Sequence, residues 1–244
     1  MKKIAYKEMF ENELTHAWYL ATRKLMISFL QKYLKKNAKI LDAGCGTGGT
    51  IIYLKKKNPK WQLCGIDVSQ IALNYCKKRN IKNLKLGSIN KLPYKDDYFD
   101  AVVCLDVLYH KGINLQKAIS EFDRILKPQG IIYVQEPAFN WLKSKHDNAI
   151  ETERRFTKDD LEILAKKASF KIVKCSYFNS LLFIPIAVKR IGNKIFFSKT
   201  AESDVFQLPG FINRTMLELL NFEAKLFQKF DFPFGLSIIC LAKK

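Results

Sequence analysis

The stretch Ile40-Leu41-Asp42-Ala43-Gly44-Cys45-Gly46-Thr47-Gly48-Gly49 decides the architecture. Glycines crowded behind a short apolar run mark the place where a strand hands over to a helix, and they let a ligand approach the backbone closely. Spacing alone leaves the ligand open, because Gly44, Gly46 and Gly49 also satisfy the G-x-G-x-x-G pattern that accommodates a pyrophosphate. Asp42 breaks the tie. A carboxylate two residues before the first glycine opposes a pyrophosphate and suits a ligand carrying an ammonium and a sulfonium.

On either side of this turn the hydrophobic period alternates between strand and helix. Lys39–Ala43, Trp61–Ile66, Leu84–Leu86, Asp100–Leu105 and Ile131–Gln135 are short and apolar, the pattern of strands buried on both faces. Between them Gly48–Lys57, Ser69–Arg79 and Asn114–Leu126, the last stopped by Pro128, read as helices. An amphipathic helix over Leu14–Lys36 precedes the first strand. Thr157 caps a helix through Ala168, and Lys171–Tyr177 and Leu236–Ala242 read as further strands. Such alternation predicts an α/β fold with a doubly wound, mostly parallel sheet of seven strands. The single domain divides into an N-terminal helical cap (1–37), a core (38–137), an acceptor-side loop, helix and strand (138–178), an aromatic and basic lid inserted at 179–232, and a final strand (233–244).

A second acid stands at the end of the next strand, in Gly65-Ile66-Asp67-Val68-Ser69, the usual place for a carboxylate that accepts from ribose hydroxyls. Ser69 is free to cap the following helix, which leaves Asp67 for a ligand.

Together, Ile40–Gly49, Gly65–Ser69 and Leu92-Pro93-Tyr94-Lys95-Asp96-Asp97-Tyr98-Phe99-Asp100 resemble the successive motifs of class I methyltransferases that use S-adenosylmethionine (SAM). The resemblance covers roughly Lys39–Pro137, and Ala101–His110 resembles the quinone-biosynthesis and small-molecule branch. It implies a Rossmann-like fold, SAM as cofactor, S-adenosylhomocysteine as product, and no metal. Asp42 and the backbone of Gly44, Cys45, Gly46 and Gly48 would hold the methionine part, with Asp67 on the ribose and Val68 against the adenine. Ser88 and Ile89 would meet the adenine edge; Ser88 stands where the branch often carries Asp, so Asn90 is an alternative donor or acceptor there. Leu105 and the backbone running to His110 would flank the sulfonium. Glu13–Arg23 resembles an N-terminal helix that folds over the cofactor, with Arg23 a candidate for the SAM carboxylate.

Methyl transfer is an in-line displacement, so alignment and exclusion of water are the main tasks, with a base needed only for a protonated nucleophile. His110 and His146 are the candidate bases. Trp18, Tyr109, His146 and Arg155 are candidate acceptor contacts, because α/β sheets bind ligands outside the carboxyl ends of their strands.

The formal charge of +19 attracts nucleic acid, anionic lipid and phosphorylated molecules alike. Phe183, Ile184, Ile186, Ile191, Ile195, Phe196 and Phe197, interleaved with Lys189, Arg190, Lys194 and Lys199, suit a lid or an interfacial segment. Tyr177–Phe183 and Leu226–Ser237 resemble the tail of a further branch of the superfamily associated with glycan or lipid modification, and together the resemblances imply a small molecule or a lipid- or glycan-linked acceptor. RNA and a catalytically silent partner subunit are the alternatives; against RNA, the fourth strand lacks an N-P-P-Y string and no RNA-binding module is visible. The six cysteines form no C-x-x-C pair, the N-terminus has no uninterrupted apolar region, and no apolar run nears the ~20 residues that span a bilayer. These features predict a cytoplasmic protein with a possible peripheral contact at the inner membrane face.

Overall fold

A computed structural model describes residues 3–144, 147, 150–195 and 208–244. Among them a seven-stranded sheet has the order β3-β2-β1-β4-β5-β7-β6. The strands are β1 (Lys39–Ala43), β2 (Gln62–Asp67), β3 (Leu84–Leu86), β4 (Phe99–Leu105), β5 (Leu126–Pro137), β6 (Lys171–Phe178) and β7 (Ser237–Lys243). All neighbours pair in parallel except β7, which runs antiparallel to both β5 and β6. The doubly wound, mostly parallel architecture is the expected one.

The helices are α1 (Lys3–Asn12), α2 (Ala17–Tyr33), α3 (Gly49–Lys57), α4 (Gln70–Lys78), α5 (Leu115–Ile125), α6 (Lys158–Lys167), α7 (Phe183–Ile195) and α8 (Gly210–Phe227). Side chains alternate across the strands, and the two faces bury separate cores. Phe99, Val102, Phe122 and Phe170 belong to the face covered by α5 and α6. Leu25, Ile40, Tyr133 and Phe227 belong to the face covered by α2, α3 and α8. Phe227 is fully buried and meets Phe29 and Phe178 edge-on at 6.2 and 5.8 Å; burial of such a ring stabilises by about 1.5–3 kcal/mol.

The helix expected over Leu14–Lys36 is α2, which starts at Ala17 because His16 caps it by accepting from the Trp18 amide at 3.2 Å; α1, ahead of the turn at Glu13–Thr15, was not expected. Two expectations are corrected. β5 is much longer than Ile131–Gln135: it starts at Leu126, directly after α5, and its ladder with β4 shifts register between Phe99 and Ala101. A side chain at Gly130 would lie 2.8 Å from the Lys127 carbonyl, so glycine is required in that irregular stretch. The segment ahead of β7 holds two helices, and the C-terminal half of α8 is core rather than lid. Leu220, Ala224 and Phe227 are buried at i, i+4, i+7, but the stripe also contains the fully buried Glu223. Glu223 Oε1 and Oε2 accept from the Ser180 and Leu181 amides at 2.7 and 3.1 Å, fixing the approach to α7. Phe196, Phe197 and Lys199 lie outside the described residues.

Candidate active site

The carboxyl ends of β1, β2, β4 and β5 open into one cavity of about 1260 Å³, closed from above by α1, the start of α2, and α7. A second concavity of about 890 Å³ opens at the opposite edge of β1–β3; its described lining holds lysines such as Lys39, Lys60 and Lys85 and no carboxylate, hence no acid–base pair.

At the glycine turn, Gly44, Gly46 and Gly48 all have positive φ, at +87°, +52° and +88°. A side chain at Gly44 would also sit 2.3 Å from Val107 Cγ2, so glycine is demanded twice there. Gly48 begins α3 in the left-handed region and is not part of the cavity wall. Asp67 Oδ2 accepts from the Gly46 amide at 2.9 Å and Oδ1 from Ser69 at 2.8 Å, so the second acid braces the turn while facing the cavity.

Asp42 is 3% exposed, and its Oδ2 is buried with no hydrogen-bond partner. Burial, with Glu13 and Asp67 nearby, pushes its carboxyl up to about 7 against the pull of Arg23. Asp42, Glu13 and Asp67 thus gather at this end of the cavity, where the two buried guanidinium groups, Arg23 and Arg79, are both paired with Glu13, which leaves Asp42 without a hydrogen-bonded cation among the described residues. An unsatisfied carboxylate at a glycine cradle fits a cofactor that brings an ammonium and a sulfonium.

The N-terminal segment is latched over that end by a residue that sequence reading had placed only as part of a resembling string. Glu13 is 3% exposed; its Oε1 accepts from the Gly49 amide at 3.1 Å and from Thr47 Oγ1 and Arg79, and its Oε2 pairs with Arg23. The carboxylate thereby faces the positive N-terminal end of α3. Arg79 adds bonds to the carbonyls of Thr47 at 3.1 Å and Phe10 at 2.7 Å. Consequently Tyr6 and Met9 of α1 roof the cofactor end. Arg23 lines the cavity, but its guanidinium is engaged by Glu13 and, through Nε at 3.2 Å, by Thr50; it is not a free carboxylate clamp.

The remaining expected cofactor residues Cys45, Val68, Ser88, Ile89 and Leu105 line the same cavity. Asn90 does not. Its amide donates to the Gly112 carbonyl at 2.9 Å and accepts from the Asn114 amide at 3.0 Å, so it ties two loops together; Ser88 Oγ accepts from its backbone at 3.1 Å.

Beyond β4 the backbone is shaped by a buried acid. Glu136, fully buried, accepts from the amides of Val107 (3.1 Å), Leu108 (2.7 Å) and Tyr109 (3.2 Å). Burial and the neighbouring Asp106 push its carboxyl well up, countered by those three N–H groups. The bonds hold Asp106 at φ +56° and bring Asp106, Tyr109 and His110 onto the cavity wall. Asp106 is pushed up to about 6 by burial, opposed by Gln135, whose Nε2 donates to it at 3.1 Å, and by Arg155. His110 is held down to about 4 by burial, its ring 4.2 Å from that of Tyr109. Trp18 and Arg155 line the acceptor end, with Arg155 locked to Asp147 through Nε and Nη2 at 2.8 and 3.0 Å. Gln135 Oε1 and Asn179 Oδ1, on the same wall, are buried without partners. His146 lies outside the described residues. Asp106, Gln135 and Asn179 were missed because only the fold brings residues so distant in sequence to one rim.

Comparison with known proteins places the chain in a family. A methyltransferase-domain family matches residues 34–183. An uncharacterized methyltransferase of Schizosaccharomyces pombe is 35% identical over 134 residues, half of this chain and 47% of that protein, so the chain spans about half the length of that relative. The ubiquinone/menaquinone biosynthesis C-methyltransferase of Campylobacter jejuni is 31% identical over 222 residues, 87% of this chain and 81% of the relative. Among solved structures, one titled a putative sarcosine dimethylglycine methyltransferase from Galdieria sulphuraria superposes with a TM-score of 0.64 at 18% identity, covering 93% of this chain and 86% of the other.

Proposed function

The chain belongs to the class I SAM-dependent methyltransferases, and we propose that its acceptor is a small molecule or a lipid- or glycan-linked one. The observation that carries this reading is the make-up of the acceptor end. Trp18, Ile186 and Met216 set apolar surface around a polar wall of Asp106, Gln135 and Asn179, a concave, mostly apolar lining with a few polar groups of the kind that binds small molecules. The relative from Campylobacter, named for quinone biosynthesis, is in keeping with an apolar acceptor.

When bound, SAM supplies an electrophilic methyl group on its sulfonium. Asp42 and the backbone at Gly44 and Gly46 hold its charged end, Asp67 its ribose, and Val68 and Ile89 its base. The chain's own contribution is alignment and dryness: α1 and α2 cover the cofactor end, and Glu136 sets the loop that faces the acceptor. A protonated nucleophile loses its proton to Asp106 or His110. Asp106, at about 6, is better matched to neutral pH than His110, at about 4.

The test is incubation of purified protein with methyl-labelled SAM and a cell extract, followed by partition of the label. Label in the organic or small polar fraction upholds the proposal. Nuclease-sensitive label would transfer it to RNA, the reading that the +19 charge favours, and absence of SAM binding would leave the fold as a silent partner subunit.

A further inference from the structure

Helix α7 wears its hydrophobic side outward. Ile184 and Val188, each 64% exposed, and Ile191, 43% exposed, recur at i, i+4 and i+7 and form one stripe along its outer face. Ala187, on the flank of the stripe, is buried, and the opposite side carries Ile186, Lys189 and Arg190, which line the cavity. At the base of the helix, Phe183 stands with the half-exposed Trp141 and Phe234, its ring 5.9 Å from Trp141 and 5.1 Å from Phe234, and these aromatics add to the exposed apolar surface of the helix. Exposed apolar surface on this scale marks an interaction site.

Charge selects the occupant. Lys143, Lys189 and Arg190 stand around the mouth beside the patch, in a chain of net charge +19. A second copy would bring the same positive field and be repelled, whereas an anionic lipid surface is attracted. An exposed tryptophan at the border between an apolar patch and cations suits the headgroup level of a bilayer. At 13 residues α7 lies along an interface, and no helix among the described residues is long and apolar enough to cross one.

We propose that α7 and Trp141 seat the cavity mouth on an anionic bilayer, with Ile184, Val188 and Ile191 in the headgroup–acyl boundary and Lys143 and Lys189 at the lipid phosphates. The acceptor end then lies beneath α7, close to the membrane surface. This docking holds whatever the acceptor is, and its test does not read methyl transfer.

The full-length protein is sedimented with vesicles of phosphatidylcholine alone, or of phosphatidylcholine mixed with phosphatidylglycerol, at low and high salt. Binding to the anionic vesicles, weakened by salt, is expected. Ile184→Asp/Val188→Asp removes it while SAM affinity, measured by calorimetry without lipid, is unchanged. Lys189→Gln, which keeps the apolar stripe, lowers the partition coefficient about fivefold, the value of one cation near the surface; this arm decides if the double variant also loses SAM binding. Wild-type protein left in the supernatant overturns the proposal, as do equal binding to neutral vesicles and full retention by both variants. A wild-type dimer that the double variant converts to monomer in light scattering would instead assign the patch to a second copy.

Discussion

Replacing Asp42 with Asn is expected to move stability and cofactor affinity in opposite directions. In the cofactor-free protein the Asp42 carboxyl is pushed from 3.8 up to about 7. Between those values it is protonated in the folded chain and ionised in the unfolded one. The fold therefore loses stability as pH rises from about 4 to about 7 and carries the whole cost above that. At about 1.4 kcal/mol for each tenfold change in the ionisation constant, the cost at pH 8 is about 4 kcal/mol. Asparagine never bears the charge, but its buried amide hydrogens lack partners, which returns about 1–3 kcal/mol. The net gain is about 2 kcal/mol, or a melting temperature higher by about 4–8 °C. At pH 5, where wild-type Asp42 is protonated, the gain should vanish. SAM loses its charged partner, and its affinity should fall by about 1.5–3 kcal/mol, ten- to a hundredfold or more. Thermal melting at pH 5 and pH 8 and titration calorimetry with SAM measure both. A variant that melts below wild type at pH 8, or binds SAM equally well, would refute the reasoning.

Three further outcomes are expected. Asp67→Ala removes the acceptor for the Gly46 and Ser69 amides as well as the ribose contact, so SAM affinity in calorimetry drops by at least tenfold, about 1.4 kcal/mol; unchanged affinity would sink the cofactor assignment. Asp106 acts as a base only when ionised, so once the acceptor is known the rate should fall as pH drops through about 6, and Asp106→Asn should abolish that limb while His110→Gln leaves it in place. Glu13→Ala unpairs two buried guanidinium groups. It should destabilise the chain by about 3–5 kcal/mol, open the segment before Ala17 to protease, and weaken SAM binding; a protease pattern like wild type would mean the latch is not what holds α1.

Much of the cofactor half was legible because its signals are local. The glycines, Asp42 and Asp67 sit at the junctions of short strands and helices, and a strand's period and a helix's cap are written within a few residues. The acceptor half is assembled from places far apart: Asp106 after β4, Gln135 on β5, Asn179 after β6. Their common rim exists only once the strand order is known. Charged residues in buried stripes hid the rest. Glu223 masks the apolar period of α8, and Glu13, standing between α1 and α2, reads as a surface acid until its two arginine partners are seen. Asn90 shows the opposite failure: a polar residue beside a motif is as readily a loop fastener as a ligand contact.

The place of β7 has a consequence for how the molecule is made. The strand lies between β5 and β6 in the sheet although it is the last of the seven in chain order, and Leu236 and Ser237 at its start belong to the cavity wall. On the ribosome the parallel strands β1 to β5 can zip in order of emergence, while β6 waits with both its edges unpaired. Shortening the chain by its final eight residues would take away an interior strand rather than an outer one, and would strand β6 as an exposed, aggregation-prone edge. This wall of the cavity thus depends on the strand that follows all the others in sequence, and a nascent chain forms the glycine turn well before that wall can exist.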